Sequence, residues 1–257
     1  MTAAALFVHT PAHLLVSRLP FLLNRSLQPE IACQEVQLEQ LDFAQLAEAA
    51  QSLAASRLGT TLHAPFSGFN PGSRRKRIRN QSREVALQTL QLAASIGAQR
   101  IVFHPGLDPN ATPQQRDFWL EQNILFWPEF ISQAEAINCC LCLENIYEAT
   151  PDILLQLFQE LASPSFGHCF DIGHWNVFSS TTLNDWLDRM APWLQHLHLH
   201  DNGGQQDEHL PIGQGSIDFS GLFAWLKTNR LAPTMTLEAH SLPDLEQSLS
   251  AIEQFIS

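Results

Sequence analysis

The sequence predicts an α/β fold, a (β/α)8 barrel, on three observations. Eight apolar or β-branched runs follow one another through the 257 residues, each separated from the next by enough chain for one helix. The intervening segments carry helix start and stop residues. Six of the runs end in His63, His104, Glu144, Asp171, His198 and Glu238, and the strand ends of such a barrel converge on the face where its active sites are built.

Taken in order, the first run is ALFVH, and the N-terminal MTAAALFVHTPAH lacks the basic stretch of a secretory signal, so it reads as a first strand. IACQEVQL is the second run and TTLHAP the third. A third helix is expected from Ser73 to Ile96, with an apolar stripe at Ile78, Val85, Leu90 and Ala93 and a left-handed cap at Gly97. RIVFHPG is the fourth run. After it, Thr112-Pro113-Gln114-Gln115 offers a capping hydroxyl, a proline at the first helical position and a glutamine at the third. CLCLENI comes fifth, and Thr150-Pro151 repeats the capping device before ILLQLFQEL. GHCFDIGH and LQHLHLHD are the sixth and seventh runs. Asp218 is placed to cap FSGLFAWL, TMTLEAH is the eighth run, and Ser241 with Pro243 starts the last helix. Pro20 and Pro128 fall inside helical segments, which predicts kinked or split first and fourth helices. No linker or repeat interrupts the pattern, so residues 1–257 are expected to form a single domain.

Apolar residues make up 45% and charged residues 16%, a globular balance, and no apolar stretch nears the ~18 residues that span a bilayer. Cys33, Cys139, Cys140, Cys142 and Cys169 lie in apolar runs, and their odd number suits reduced thiols in a reducing compartment. A cytoplasmic protein with no membrane partner is expected, as monomer or homodimer. The net charge of −12 disfavours a broad nucleic-acid footprint. Arg74, Arg75, Lys76, Arg77 and Arg79 hold five of the 14 basic residues, either as a solvated helix start or as an anion clamp near the site.

Strand pleating sharpens the candidate site, because residues two apart share a face. If Glu144 points inward, so do Cys142 and Cys140, while Leu141 and Leu143 face the helices. His196, His198 and His200 likewise share the inner side. One histidine on an apolar strand is ordinary core; several imidazoles and carboxylates in one interior are costly without a compensating cation. Glu144, Asp171, His198 and Glu238 form a mixed nitrogen and oxygen set suited to Mn, Co, Zn or Mg. His9 and His13 flank the end of the first run and are candidates to line a pocket, as are His200 and His240. His168 and His196 are expected to be hydrogen-bonded core residues. Asp201 and Asn202 are candidates to orient the imidazoles, and Phe66 and Trp175 to wall the pocket.

LENIYE, FDIGH, HLHLHDN, DEHLPIGQGSIDF and TLEAH resemble the xylose isomerase-like TIM barrel superfamily, which holds sugar isomerases and epimerases and also endonuclease IV. The isomerase branch implies one divalent metal held by Glu144, Asp171, His198 and Glu238, with Glu144 and Glu238 exchanging protons beside a substrate carbonyl. His174, His200, His209 and His9 would then contact the substrate, a sugar or sugar phosphate. The endonuclease IV branch implies up to three zinc ions. His63, His104 and Glu144 would hold the first, Glu144, Asp171, His198 and Glu238 the second, and His174, Asp207 and His209 the third. The chain departs from both patterns: His209 stands where epimerases commonly carry arginine, and His200 where the nuclease carries asparagine. With Tyr147 as its sole tyrosine, it shows no recognisable DNA-opening loops. The sequence reading therefore puts the isomerase or epimerase first and the phosphodiesterase second.

Overall fold

Parallel strands bury both faces only if helices cover the outside and side chains fill the inside, and the runs found above do both. In the computed structural model, which describes residues 5–33 and 38–256, eight parallel strands close into a barrel. They are β1 (Leu6–Pro11), β2 (Gln28–Ala32), β3 (Thr61–His63), β4 (Arg100–Phe103), β5 (Cys140–Glu144), β6 (Phe166–Asp171), β7 (Leu194–Leu199) and β8 (Thr234–Leu237). Each pairs with the next, and β8 returns to β1 through Phe7 opposite Thr236. Around them run α1 (Leu15–Arg25), α2 (Phe43–Ala55), α3 (Lys76–Ile96), α4 (Pro113–Ala136), α5 (Asp152–Leu161), α6 (Ile172–Phe178), α7 (Leu183–Met190), α8 (Phe219–Asn229) and α9 (Leu242–Ile256). None of the described helices is long and apolar enough to cross a membrane.

The expected pleat holds. Leu141, Leu143, Phe170 and Leu197 join the large outer core, where Trp127 packs against Phe103 and Phe166. Val102, Cys142 and Cys169, with Cys140 beside them, form a separate small cluster inside the barrel. All five thiols are free. Such small interior residues leave room for polar groups nearer the rim.

Several boundaries differ from the expectation. The second strand is Gln28–Ala32, earlier than IACQEVQL, and residues 34–37 of that run lie outside the described residues. Pro29 and Glu30, which precede that run, are both buried in the strand. The third helix starts at Lys76, leaving Arg74 in the preceding loop, and ends as expected at Gly97 with φ 66°. Thr112 and Gln115 make the full capping box of α4. Thr150 does not cap α5; its hydroxyl donates to Asp152 instead, and the cap position is Pro151, which offers no side-chain acceptor. Asp218 caps α8, and the Ser241 hydroxyl accepts from the Asp244 amide. Neither Pro20 nor Pro128 splits its helix. Both prolines lie on exposed helix faces.

Candidate metal centre

The strand termini deliver their side chains to one rim. His63, Glu144 and Asp171 are the last residues of β3, β5 and β6; His104 and Glu238 directly follow β4 and β8; His198 is the penultimate residue of β7. Glu144 lies at the middle. Its Oε2 is 3.0 Å from His63 Nε2 and 3.0 Å from His104 Nε2, while its Oε1 is 3.1 Å from His174 Nδ1 and 3.4 Å from His198 Nδ1. His198 Nδ1 also stands 3.3 Å from Glu238 and 3.8 Å from Asp171. Beyond it, Asp207 Oδ2 is 3.2 Å from both His174 Nε2 and His209 Nε2. His200 Nε2 lies 3.2 Å from Asp171.

Several sets of ligand atoms result. His63, His104 and Glu144 make one, and Glu144, Asp171 and His198 a second, with His63, His198 and Glu238 as a variant of it. His174, His200, Asp207 and His209 make the third, in each case with ligand atoms within 4.8 Å of one another. Nine of these residues were candidate ligands from the sequence and its family resemblance; His200, expected there as a substrate contact, joins the third set, buried against Asp171 with its ring stacked 3.8 Å from that of His209.

The donor chemistry fits cations. A backbone carbonyl only accepts, so His63 donates through Nδ1 to Ala64 O, and His174 through Nδ1 to Asn145 O. Each ring therefore turns Nε2 toward carboxylates, the arrangement that fixes a ligand tautomer. His104 Nδ1, His200 Nδ1 and His209 Nδ1 are buried without hydrogen-bond partners. Burial pushes the Glu144 carboxyl up, yet the charges and hydrogen bonds of His198, His104 and His174 overcome it and hold it well below the usual range. Glu238 is brought down to about 2 against its own burial by His198 and His209. Burial pushes His198 down, but Cys169, Glu238, Glu30 and Glu144 raise it well above the ordinary imidazole value. In other words, the carboxylates demand positive charge between them, which a divalent cation supplies without filling the lone pairs with protons.

Local structure explains the placement of the remaining groups. Asp171 caps α6 by accepting from the His174 amide at 2.6 Å, which sets His174 one turn beyond β6. Asn145 clasps Asp171 through both its backbone groups. Asp201 does not orient imidazoles: its carboxylate accepts from the amides of Asn202, Gly213, Gly215 and Ile217. It thereby folds the loop that carries Asp207 and His209. Asn202 ties that loop to α6 through Gly173 O and Asn176. His209 itself has φ 51°, a left-handed conformation costly for a non-glycine residue and frequent at functional positions.

The family model described as xylose isomerase-like TIM barrel matches residues 28–255. The chain belongs to the xylose isomerase-like TIM barrel family. The uncharacterized protein MJ1311 of Methanocaldococcus jannaschii is 29% identical over 202 residues, 76% of this chain and 69% of that protein. A probable endonuclease 4 of Ureaplasma parvum is 26% identical over 181 residues, 63% of this chain but only 58% of the relative. Among solved structures, the TTHB071 protein of Thermus thermophilus, soaked with ZnCl2, is 29% identical with a TM-score of 0.79 and 97% of each chain covered. A D-tagatose 3-epimerase-like protein is 24% identical with a TM-score of 0.84, covering 98% of this chain and 96% of that one, and speaks for the fold.

As in barrel enzymes generally, the family rim encloses a cavity, here of about 280 Å3, walled by Phe66, Ile146 and Tyr147 and floored by His104, Glu144, His174 and Glu238. His9 and His240 line it too; His13 is exposed and does not, and Trp175 packs against the core instead. A larger cavity of about 520 Å3, which shares Tyr147 with it, lies between the N-terminal ends of α4 and α5 and is lined by none of the candidate ligands. Arg74, Arg75, Lys76 and Arg77 are exposed at the start of α3, while Arg79 donates to Ser73 O and rides over Phe118. His168 and His196 are hydrogen-bonded core residues. Sequence reasoning missed Asn145 and Glu30. Asn145 adjoins a ligand within LENIYE; Glu30 was signalled only by a lone carboxylate in QPEIAC.

Proposed function

We propose that this family member is a hydrolase of phosphate esters that works with two or more divalent cations, on a small sugar-phosphate or related phosphodiester substrate. The observation carrying the proposal is the environment of Glu144. An isomerase needs this glutamate as a base with an oxygen free to move a proton. Here Oε2 faces His63 Nε2 and His104 Nε2, and Oε1 faces His198 Nδ1 beside the Nδ1–H of His174. A carboxylate with each oxygen presented to a separate imidazole set is placed to bridge two cations. His63, His104 and Glu144 would hold one, Glu144, Asp171, His198 and Glu238 a second, and His174, Asp207 and His209, with His200 in reach, a third. Cations there would supply charge compensation to phosphoryl oxygens and a nucleophile at neutral pH.

The chain's own groups suit that chemistry. Burial pushes His9 down to about 4 against the pull of Glu238, so it meets substrate as an uncharged donor and acceptor at neutral pH. Phe66, 45% exposed, and Tyr147, 40% exposed, stand at the mouth where a sugar or ring face can pack. A duplex is disfavoured by the overall charge of −12.

The isomerase reading retains one supporting observation: Glu144 and Glu238 flank His198 Nδ1 at 3.4 and 3.3 Å, as a two-glutamate proton exchange requires. Elemental analysis of protein purified without chelators, with an assay on bis(p-nitrophenyl) phosphate, separates the two. Two or three ions per chain and release of p-nitrophenol are expected. One ion per chain, together with solvent deuterium entering a ketose substrate, would overturn the hydrolase.

A further inference from the structure

Below the rim, the barrel interior contains a carboxylate that the chemistry above does not use. Glu30 is fully buried on β2, and no lysine or arginine forms an ion pair with it among the described residues. Its Oε2 accepts from Thr61 Oγ1 at 3.1 Å, Thr236 Oγ1 at 2.9 Å and His196 Nε2 at 3.0 Å. Three donors from three strands pin that oxygen. Oε1 makes no well-directed hydrogen bond, and it lies 2.9 Å from His198 Nε2. On the opposite side of the same ring, Nδ1 faces the carboxylates of Glu238, Glu144 and Asp171.

We infer that Glu30 is a positioning residue, which keeps the proton of His198 on Nε2 and so presents Nδ1 as the bare nitrogen to a cation held with Glu144, Asp171 and Glu238. An ionised carboxylate can only accept, so at 2.9 Å Glu30 favours the proton on His198 Nε2. With a cation at the rim, the one lone pair of the neutral ring is then the Nδ1 pair that faces it. His63 and His174 are fixed in the opposite sense, through Nδ1 to backbone carbonyls; His198 lies too deep for one and is served by a side chain from β2 instead. The inference rests on the cation reading of the site but not on the reaction chosen for it.

Glu30→Gln tests it sharply. The three donors at Oε2 require an acceptor, so the amide oxygen takes that place and the NH2 is turned toward His198 Nε2. The imidazole proton is thereby driven to Nδ1, where it blocks ligation. Zinc affinity, measured by competition with a chromophoric chelator, is expected to fall about 10- to 100-fold for one ion. Glu148→Gln, a buried carboxyl that accepts from the Ile146 amide and does not touch His198, is expected to bind zinc within about twofold of the parent. Long-range proton–nitrogen NMR of the zinc-loaded parent protein is expected to show His198 protonated at Nε2, and this measurement decides alone if Glu30→Gln does not fold. An Nδ1-protonated His198 in the zinc-loaded protein, or parental zinc affinity in folded Glu30→Gln, would overturn the positioning role. Failure of the parent to bind zinc at all would instead strike the cation reading itself.

Discussion

At the scale of single residues, the contrast between His168 and the rim histidines shows how environment assigns the role. His168 is fully buried; it donates through Nδ1 to Leu143 O, and its Nε2 accepts from the Trp186 indole at 3.2 Å. Both nitrogens are thus committed, one as donor and one as acceptor, and burial pushes the group down to about 4. A proton that the folded state refuses and the unfolded chain accepts destabilises the fold as pH falls. The contribution is fully present above pH 6.5 and lost toward pH 4, an effect of about 3 kcal/mol. The difference in unfolding free energy between the protein and His168→Gln should therefore shrink by about that amount from pH 7 to pH 4 in urea titrations; a constant difference would refute it. Glu144 occupies the other extreme. Its replacement by glutamine removes a charge shared by two ligand sets, so elemental analysis should register the loss of more than one ion per chain rather than one.

At the scale of elements, the βα connections make the site. α6 begins so close against the β7 terminus that a Cβ on Gly173 would overlap the His200 ring at Cε1. Gly173→Ala is expected to keep the barrel, read as unchanged far-ultraviolet circular dichroism, while displacing His200 and emptying the outermost ligand set. Unchanged metal content in that variant would show that His200 and the start of α6 are not coupled. The loop after β7 has its own logic. Asp201 gathers four amides, and this is the physical meaning of the HLPIGQGSID motif: glycines let the backbone close around one carboxylate. Asp207 and His209 are carried to the rim as a consequence.

For the molecule as a whole, the unmet charge at the rim couples folding to cations. A ligand that binds only the folded state at about 1,000 times its Kd adds about 4 kcal/mol, which for a chain of this size raises Tm by roughly 8–16 °C. Zinc should produce such a rise in calorimetry and chelator should reverse it; an unchanged Tm in saturating zinc, cobalt and manganese would argue against any rim cation. The order of the elements, the caps of α4 and α8 and the inward set of β5 and β7 were legible in the sequence, because pleating and capping are local rules read within a few residues; six candidate ligands followed from the strand ends, and His174, Asp207 and His209 were candidates only through the family resemblance. What the sequence did not reveal was the distances among those side chains, and that Glu30 lies beside His196 and His198. Partnerships such as Glu30 with His196 and His198, or Glu144 with His63 and His174, exist only after the barrel closes. Closure sets which side chains share an interior, and no pattern along the chain encodes a distance across it.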